Sequence, residues 1–185
     1  MYENAPTPVP VTHGTVPRVF DPFSLGPAPT VTQCPPPRPD LREPSPLSLR
    51  YGLTLPSAAA TPSVAQESAE IMCDIHGVGA EMVEPALDLV YELAAHACRF
   101  TAAEQVIHLA LRCTGSAFEV TVHDAHAAHA HRHLAAVCDR RRASSLVDVR
   151  ELVEHHKGGW GYGAAAPYAA GTCTWGTIPY VREAA

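Results

Sequence analysis

The residue types best suited to chemistry are concentrated in one stretch, VHDAHAAHAHRH, at positions 122–133. Five histidines occupy eleven positions there. His126, His129 and His133 are spaced by three and four residues, so a helix would present them on one face. Imidazole nitrogens are common ligands of zinc and nickel, and the spacing therefore favours a metal site as one interpretation. The complete set of candidate ligands is His123, Asp124, His126, His129 and His133.

Two features of the same stretch favour loosely constrained sequence over a metal site. It has neither an H-E-x-x-H motif nor a cysteine partner, and its histidines alternate with alanine, as is typical of loosely constrained sequence. Clustered histidines also titrate near neutral pH, which makes pH sensing a further alternative. We expect no physiological metal site, and metal binding through the cluster remains an alternative.

Composition and charge argue against a nucleic-acid-binding, a membrane-spanning or a secreted protein. The 185-residue chain has a formal net charge of -6 and a pI of about 6.0, which argues against direct binding to nucleic acid. No apolar stretch approaches the roughly 18–20 residues that a membrane helix needs. The N-terminal sequence does not resemble a secretory signal, so we expect a cytoplasmic protein with reduced, mostly buried cysteines. These are Cys34, Cys73, Cys98, Cys113, Cys138 and Cys173.

Proline divides the chain into segments. Thirteen of the 18 prolines precede residue 47, and this segment shows little apolar periodicity. Residues 1–46 are therefore predicted to be a disordered or partly polyproline II tail, with a docking peptide as the alternative. Residues 47–181 are predicted to form the folded domain, and 182–185 a short C-terminal tail.

Two helices are predicted in the first half of the domain, after a strand at 47–56. Thr61-Pro62 suits a helix start and Gly77 a helix end, with Val64, Ile71, Met72 and Ile75 on one apolar face. The second helix is expected to open at Pro85. Its apolar stripe comprises Ala86, Leu89, Val90, Leu93, Ala94 and Ala97, and Asp88, Glu92 and His96 repeat every four residues on a different face.

Strands and turns dominate the second half. Residues 107–113 and 118–124 alternate apolar and polar side chains around a turn, which predicts a hairpin ending at Asp124. A variable stretch follows to about residue 142, then a short helix marked by Leu146, Val149 and Val153, a flexible loop at 158–163 and a last strand at 171–181. The pattern predicts an α+β fold, a two-layer sandwich of a mostly antiparallel sheet covered on one face by helices.

Five short motifs follow one another through this domain: ELAAHACRF at 92–100, VHD at 122–124, ASSL at 143–146, VRELV at 149–153 and GTCTWGTI at 171–178. Their order and spacing resemble those of the histidine-kinase-like ATPase superfamily, and more closely the short anti-sigma-factor-type ATP-binding regulators common in actinomycetes. The corresponding family motifs are E-L-V-T-N-A-V-x-H, V-x-D, G-R-G-L, V-x-x-L-A and G-K-x-V-W-A-x-L. The resemblance covers residues 47–181 and implies the histidine-kinase-like ATPase fold.

The resemblance also implies roles for single residues. Glu92 matches the glutamate that polarises a hydroxyl or water, and Asp124 matches the aspartate that binds the adenine amino group. His96 replaces the asparagine that binds Mg²⁺ in the family. Because Mg²⁺ prefers hard oxygen ligands in octahedral geometry, imidazole is a poor substitute.

Both glycine boxes of the family are altered. Alanine and histidine follow Asp124 where the family has D-x-G-x-G, and Ala143 and Ser145 replace the glycines of the second box. Glycine allows close backbone approach to phosphate, whereas Ser144 and Ser145 can still cap a helix. We therefore expect a degenerate ATP site. Its candidate cofactor-binding positions are Asp124, His96, Ser144 and Ser145, and its candidate catalytic residue, if the site is active, is Glu92.

The expected function is a regulatory protein-binding module, a pseudokinase that controls transcription like an anti-sigma factor. The resemblance implies a sigma factor, an anti-anti-sigma-like protein or a small DNA-binding regulator as the partner, and allows a homodimer. No membrane partner, no direct nucleic-acid partner and no cofactor are expected. The first alternative is an active serine/threonine protein kinase that uses ATP and Mg²⁺.

Overall fold

The computed structural model describes residues 40–127, 129–165 and 171–180. The predicted tail at 1–46 thus lies outside the described residues up to position 39, and the predicted tail at 182–185 lies outside them entirely. The expected first strand begins later than residue 47, because Pro46–Ser48 form a short 3-10 turn.

The described strands are β1 (Arg50–Pro56), β2 (Val106–Cys113), β3 (Ala117–Asp124), β4 (Gly159–Ala164) and β5 (Thr172–Pro179). They form one sheet in the order β1-β2-β3-β5-β4. Every neighbouring pair is antiparallel. Together with four helices, this sheet confirms the predicted α+β fold.

The β2–β3 hairpin has the predicted alternation. Leu109 lies opposite Val122, and Leu111 lies opposite Val120. All four side chains are at most 1% exposed, and because alternate residues of a strand share a face, they define the core face of the sheet. Asp124 follows Val122 on this same face, so the hairpin delivers a carboxylate to the edge of the core.

Helix α2 (Ala80–Arg99) packs against β2, β3 and β5. Its apolar stripe is confirmed, since all six predicted residues are fully buried. The prediction that Pro85 opens the helix was wrong, because the helix begins at Ala80 and Pro85 is buried inside it. Proline this close to the start removes one backbone hydrogen bond, and packing of the stripe against the sheet offsets that loss.

Helix α1 (Thr61–Ile75) packs on α2, but with a different face from the one predicted. Its buried side chains are the small Ala65, Ala69 and Cys73, which allow the two helix backbones to approach closely. Three of the four large side chains expected in the core are exposed instead: Ile71 by 61%, Ile75 by 55% and Val64 by 46%. Met72 alone is partly buried against the core. An apolar surface is therefore left on the outer side of this helix pair.

Helix α3 (Arg132–Ser145) and strand β4 lie where the sequence predicted irregular segments. Helix α3 occupies most of the stretch expected to be variable. The short helix that was predicted after it is α4 (Val147–His155). The segment expected to be a flexible glycine loop is β4, paired with β5. A Cβ atom on Gly161 would lie 3.0 Å from the Trp175 ring, so glycine here lets the indole cover the strand.

The five cysteines among the described residues are free thiols, and three of them are buried. This agrees with the expectation of reduced, mostly buried cysteines in that part of the chain. Among the described helices, none combines the length and apolar character needed to cross a membrane.

Two valines of the helix pair test this packing. Val90 on α2 is fully buried, whereas Val64 on α1 is 46% exposed. Val90→Ala should lower the free energy of unfolding by about 2 kcal/mol through lost burial and a cavity. Val64→Ala, the same chemical change, should alter it by less than about 0.5 kcal/mol. Urea unfolding followed by circular dichroism measures both, and equal losses would contradict the described orientation of α1.

Candidate functional site

A buried ion pair joins the end of β3 to α3. Arg142 Nη1 donates to Asp124 Oδ2 at 2.6 Å, and Arg142 Nη2 donates to Asp124 Oδ1 at 2.9 Å. The side chains of Arg142 and Asp124 are only 3% and 1% exposed. Paired, parallel hydrogen bonds of this kind are the form in which buried charges are tolerated. The backbone amide of His126 also donates to Asp124 Oδ1 at 3.0 Å, so both carboxylate oxygens are engaged.

Two aromatic rings enclose the guanidinium group. The Arg142 Cζ atom lies 4.1 Å from the centre of the Phe100 ring, at a distance where a cation over an aromatic face is attracted to it. The His96 ring packs beside Phe100, with 4.9 Å between ring centres. The cation is therefore satisfied by a carboxylate on one side and covered by the end of α2 on the other.

His96 continues the hydrogen-bond chain. Its Nε2 atom lies 3.4 Å from Arg142 Nη1, and its Nδ1 atom lies 2.7 Å from Ser145 Oγ. Arginine can only donate, so Nε2 is the acceptor and Nδ1 carries the proton that it donates to Ser145. Ser145 Oγ in turn donates to the Arg142 carbonyl oxygen at 3.0 Å. We call Asp124, Arg142, His96 and Ser145 the Asp124 network.

The network holds His96 in its neutral form. Burial, reinforced by the positive charges of Arg142 and Arg99, lowers the pKa of His96 to about 3. His96 is fully buried, and a second positive charge beside Arg142 would have no carboxylate left to balance it. The imidazole therefore acts as a hydrogen-bond relay between α2 and α3.

The structure brings together only some of the residues predicted to form the site. Asp124, His96 and Ser145 meet in the network, whereas Ser144 is exposed and Glu92 lines a separate groove. The idea that Ser144 and Ser145 open a helix was wrong, because both belong to the last turn of α3. His96 also departs from the face of Asp88 and Glu92, since it is buried in the core.

The separate groove belongs to a larger acidic surface. A groove of about 800 Å³ runs between α1 and α2, and one of about 450 Å³ adjoins it at α4. Among the described residues that line them there is no arginine or lysine. We call this surface the acidic face. Its carboxylates are Glu70, Asp74, Glu84, Asp88, Glu92 and Asp148, and its apolar side chains include Ile71, Val78, Val83, Leu87 and Leu152.

Like charges are close together on the acidic face. Glu84, Asp88 and Glu92 follow one another every four residues on α2, and this spacing places acids side by side on a helix and is mildly destabilising. Partial burial raises the pKa of Glu92, and Asp148 and Asp88 raise it further while Arg99 opposes them. Negative charge is therefore concentrated on this surface, and no lysine or arginine is among the described residues that line its grooves.

The histidine stretch does not form the face predicted for it. His126 and His129 approach each other in the loop after β3, with 3.0 Å between their Nε2 atoms, and His126 Nε2 lies 3.4 Å from Cys138 Sγ on α3. His133 is exposed on the first turn of α3, where its backbone amide donates to His131 Nδ1 at 3.3 Å. The expectation that the stretch has no cysteine partner was therefore wrong, because α3 folds Cys138 back onto it.

The surroundings of the partly buried His126 favour its neutral form. Burial lowers the pKa of His126, as do the charges of Arg142 and His129, while Asp124 opposes the shift. His123 lies on the other face of β3 from Asp124, opposite His108. It therefore stands apart from the His126 cluster.

Sequence reasoning missed three residues that complete these sites: Arg142, Phe100 and Cys138. In the sequence, Arg142 is the last of three consecutive arginines at 140–142. Cys138 and Arg142 are four residues apart, so a predicted helix through this stretch would have placed them on one face. The stretch has no apolar stripe, so helical periodicity did not indicate the helix.

Comparison of the chain with protein-family models and with curated proteins gave no match. The resemblance to histidine-kinase-like ATPases therefore rests on the five sequence motifs and on the order of the elements between them.

The neutral state of His96 predicts a specific pH dependence. Its pKa is about 3 when folded, against 6.5 for an ordinary histidine, so between these values the unfolded chain binds one proton more than the folded protein. Stability should fall as pH decreases through this window, by about 1.4 kcal/mol per pH unit from this residue. His96→Gln should remove that contribution in urea unfolding measured from pH 6.5 to 4. An unchanged slope in the variant would show that His96 is protonated in the folded state.

Proposed function

We propose that this protein is a regulatory protein-binding module of the anti-sigma type, which holds a transcription regulator through its acidic face and does not use ATP. The observation that carries the proposal is the acidic face itself. It has six carboxylates on α1, α2 and α4 beside the exposed Ile71 and several partly buried apolar side chains, with no basic residue among the described residues that line the grooves. Such a role places the protein in the cytoplasm.

The chemistry of the acidic face specifies the surface that it would bind. Helices α1 and α2 carry seven acidic residues and one arginine. A partner that offers lysine or arginine around an apolar centre would relieve the repulsion and cover the exposed Ile71. Surfaces that contact DNA phosphates carry these cations. Among the partner classes implied by the resemblance, a sigma factor or another DNA-binding regulator fits this chemistry best.

The Asp124 network supports the part of the proposal that concerns ATP. The carboxylate assigned to adenine by the resemblance is engaged by Arg142. The position of the magnesium ligand is held by the neutral, buried His96. Glu92, the residue that would activate a hydroxyl, lies on the acidic face among other carboxylates. The kinase alternative would require Arg142 to leave a buried ion pair before adenine could bind, so the geometry favours the pseudokinase.

The element order also supports the proposed type of module. The helix with the N-box-like motif is α2, the hairpin that ends in the V-x-D-like motif is β2–β3, and the last motif lies on β5. This is the order that the resemblance implies, and it extends over the described part of the domain.

Charge reversal on α2 tests the proposal. Full-length protein, crosslinked in its native cells and isolated, should retain a DNA-binding regulator, and the purified pair should bind more weakly as salt is raised. Because Glu84 and Asp88 are both exposed on the acidic face, Glu84→Lys with Asp88→Lys should weaken that pair at least about tenfold. Glu104→Lys, a single charge reversal at an exposed acid outside both grooves, is the control and should retain wild-type affinity.

Two outcomes would contradict the proposal. One is a partner that is not a transcription regulator. The other is an affinity that the double charge reversal and the Glu104→Lys control change equally, since binding would then not involve the acidic face.

A further inference from the structure

Three metal-ligating atoms converge where the loop after β3 meets α3. The Nε2 atoms of His126 and His129 are 3.0 Å apart, and Cys138 Sγ lies 3.4 Å from His126 Nε2. All three ligand atoms lie within 4.8 Å of one another. The cluster lies outside the acidic face and uses no side chain of the Asp124 network.

The two short separations, His126–His129 and His126–Cys138, are close to those around a tetrahedral zinc ion. With Zn–N distances of about 2.0–2.1 Å and a Zn–S distance of about 2.3 Å, tetrahedral angles separate two nitrogens by about 3.3 Å and nitrogen from sulfur by about 3.6 Å. The two contacts are shorter than these values by a few tenths of an ångström, as expected for hydrogen bonds between the same atoms. Small side-chain rotations would admit the ion.

We propose that His126, His129 and Cys138 bind one Zn²⁺ ion, with a solvent molecule as the fourth ligand. Imidazole and thiolate are the donors that zinc prefers. His129 is exposed, while His126 and Cys138 are partly buried, so the ion can enter from solvent. Three protein ligands and one open position form the arrangement in which zinc keeps an exchangeable ligand.

The surroundings of the cluster hold two of the ligands in place. The backbone amide of His126 is fixed by its hydrogen bond to Asp124, and its ring packs edge-on against Phe100, with 6.0 Å between ring centres. Cys138 lies one helical turn before Arg142 on α3, and the buried Asp124–Arg142 pair fixes this helix at the end of β3. Such outer contacts orient ligands and strengthen metal sites.

The chain supplies matched controls for this site. His133 belongs to the same histidine-rich stretch but is exposed on the first turn of α3 and is not part of the cluster. Cys98 is a free, partly buried thiol outside the cluster. Zinc that merely adheres to a histidine-rich segment would depend on His133 as much as on His126, and would not depend on Cys138.

The test is a zinc titration of metal-free, reduced, full-length protein in competition with a chromophoric chelator. One Zn²⁺ ion should bind per chain. His126→Ala and Cys138→Ser should each weaken binding more than about 100-fold, beyond the 10–100-fold typical of losing an outer-shell contact. His133→Ala and Cys98→Ser should leave the affinity unchanged. Co²⁺ in place of Zn²⁺ should give a thiolate-to-metal charge-transfer band that Cys138→Ser abolishes.

Three results would overturn the proposal: absence of stoichiometric binding, equal losses in His133→Ala and His126→Ala, or zinc affinity that survives Cys138→Ser. Circular dichroism establishes that each variant is folded. If Cys138→Ser does not fold, His129→Ala decides the matter, because this exposed residue can be truncated without disturbing the core. Undiminished binding in His129→Ala would equally reject the site.

Discussion

The buried Asp124–Arg142 pair is the constraint on which the rest of the site depends. It forms only if β3 ends with its carboxylate on the core face and if α3 runs back across the end of α2. Removing one partner of a buried ion pair typically costs about 3–5 kcal/mol, because the remaining charge is left uncompensated. The pair therefore fixes α3 against the sheet and explains why His96 must stay neutral next to it.

Because of this ion pair, the end of β3 and the acidic face have different roles. The end of β3, which carries the adenine-binding aspartate in the family that the motifs resemble, is used here for internal structure. The acidic face, on the outer side of α1 and α2, presents carboxylates and the exposed Ile71 to solvent. A structure that satisfies one set of charges internally and leaves another exposed is suited to binding a partner, which is why the proposed function is located on the helix pair.

The sequence was informative where periodicity and burial agree. The stripe of α2 and the β2–β3 hairpin follow from helical spacing and alternation. The resemblance assigns Asp124 and His96 to one site, and the structure brings them into one network. Periodicity failed on α1, because close packing against α2 selects small residues such as Ala65 and Ala69 over the larger Ile71. It also failed on α3, where a polar, alanine-rich helix is held by Arg142 and its buried partner rather than by an apolar stripe. Such tertiary contacts leave no local signal.

The most direct test of the central claim is calorimetric titration of the wild-type protein with ATP, with and without Mg²⁺. If Arg142 occupies the Asp124 carboxylate as described, the titration should show no saturable heat at millimolar ATP under either condition. Tight, magnesium-dependent binding would contradict the account, because it would require the buried pair to open and the site to recover a metal ligand that His96 does not provide.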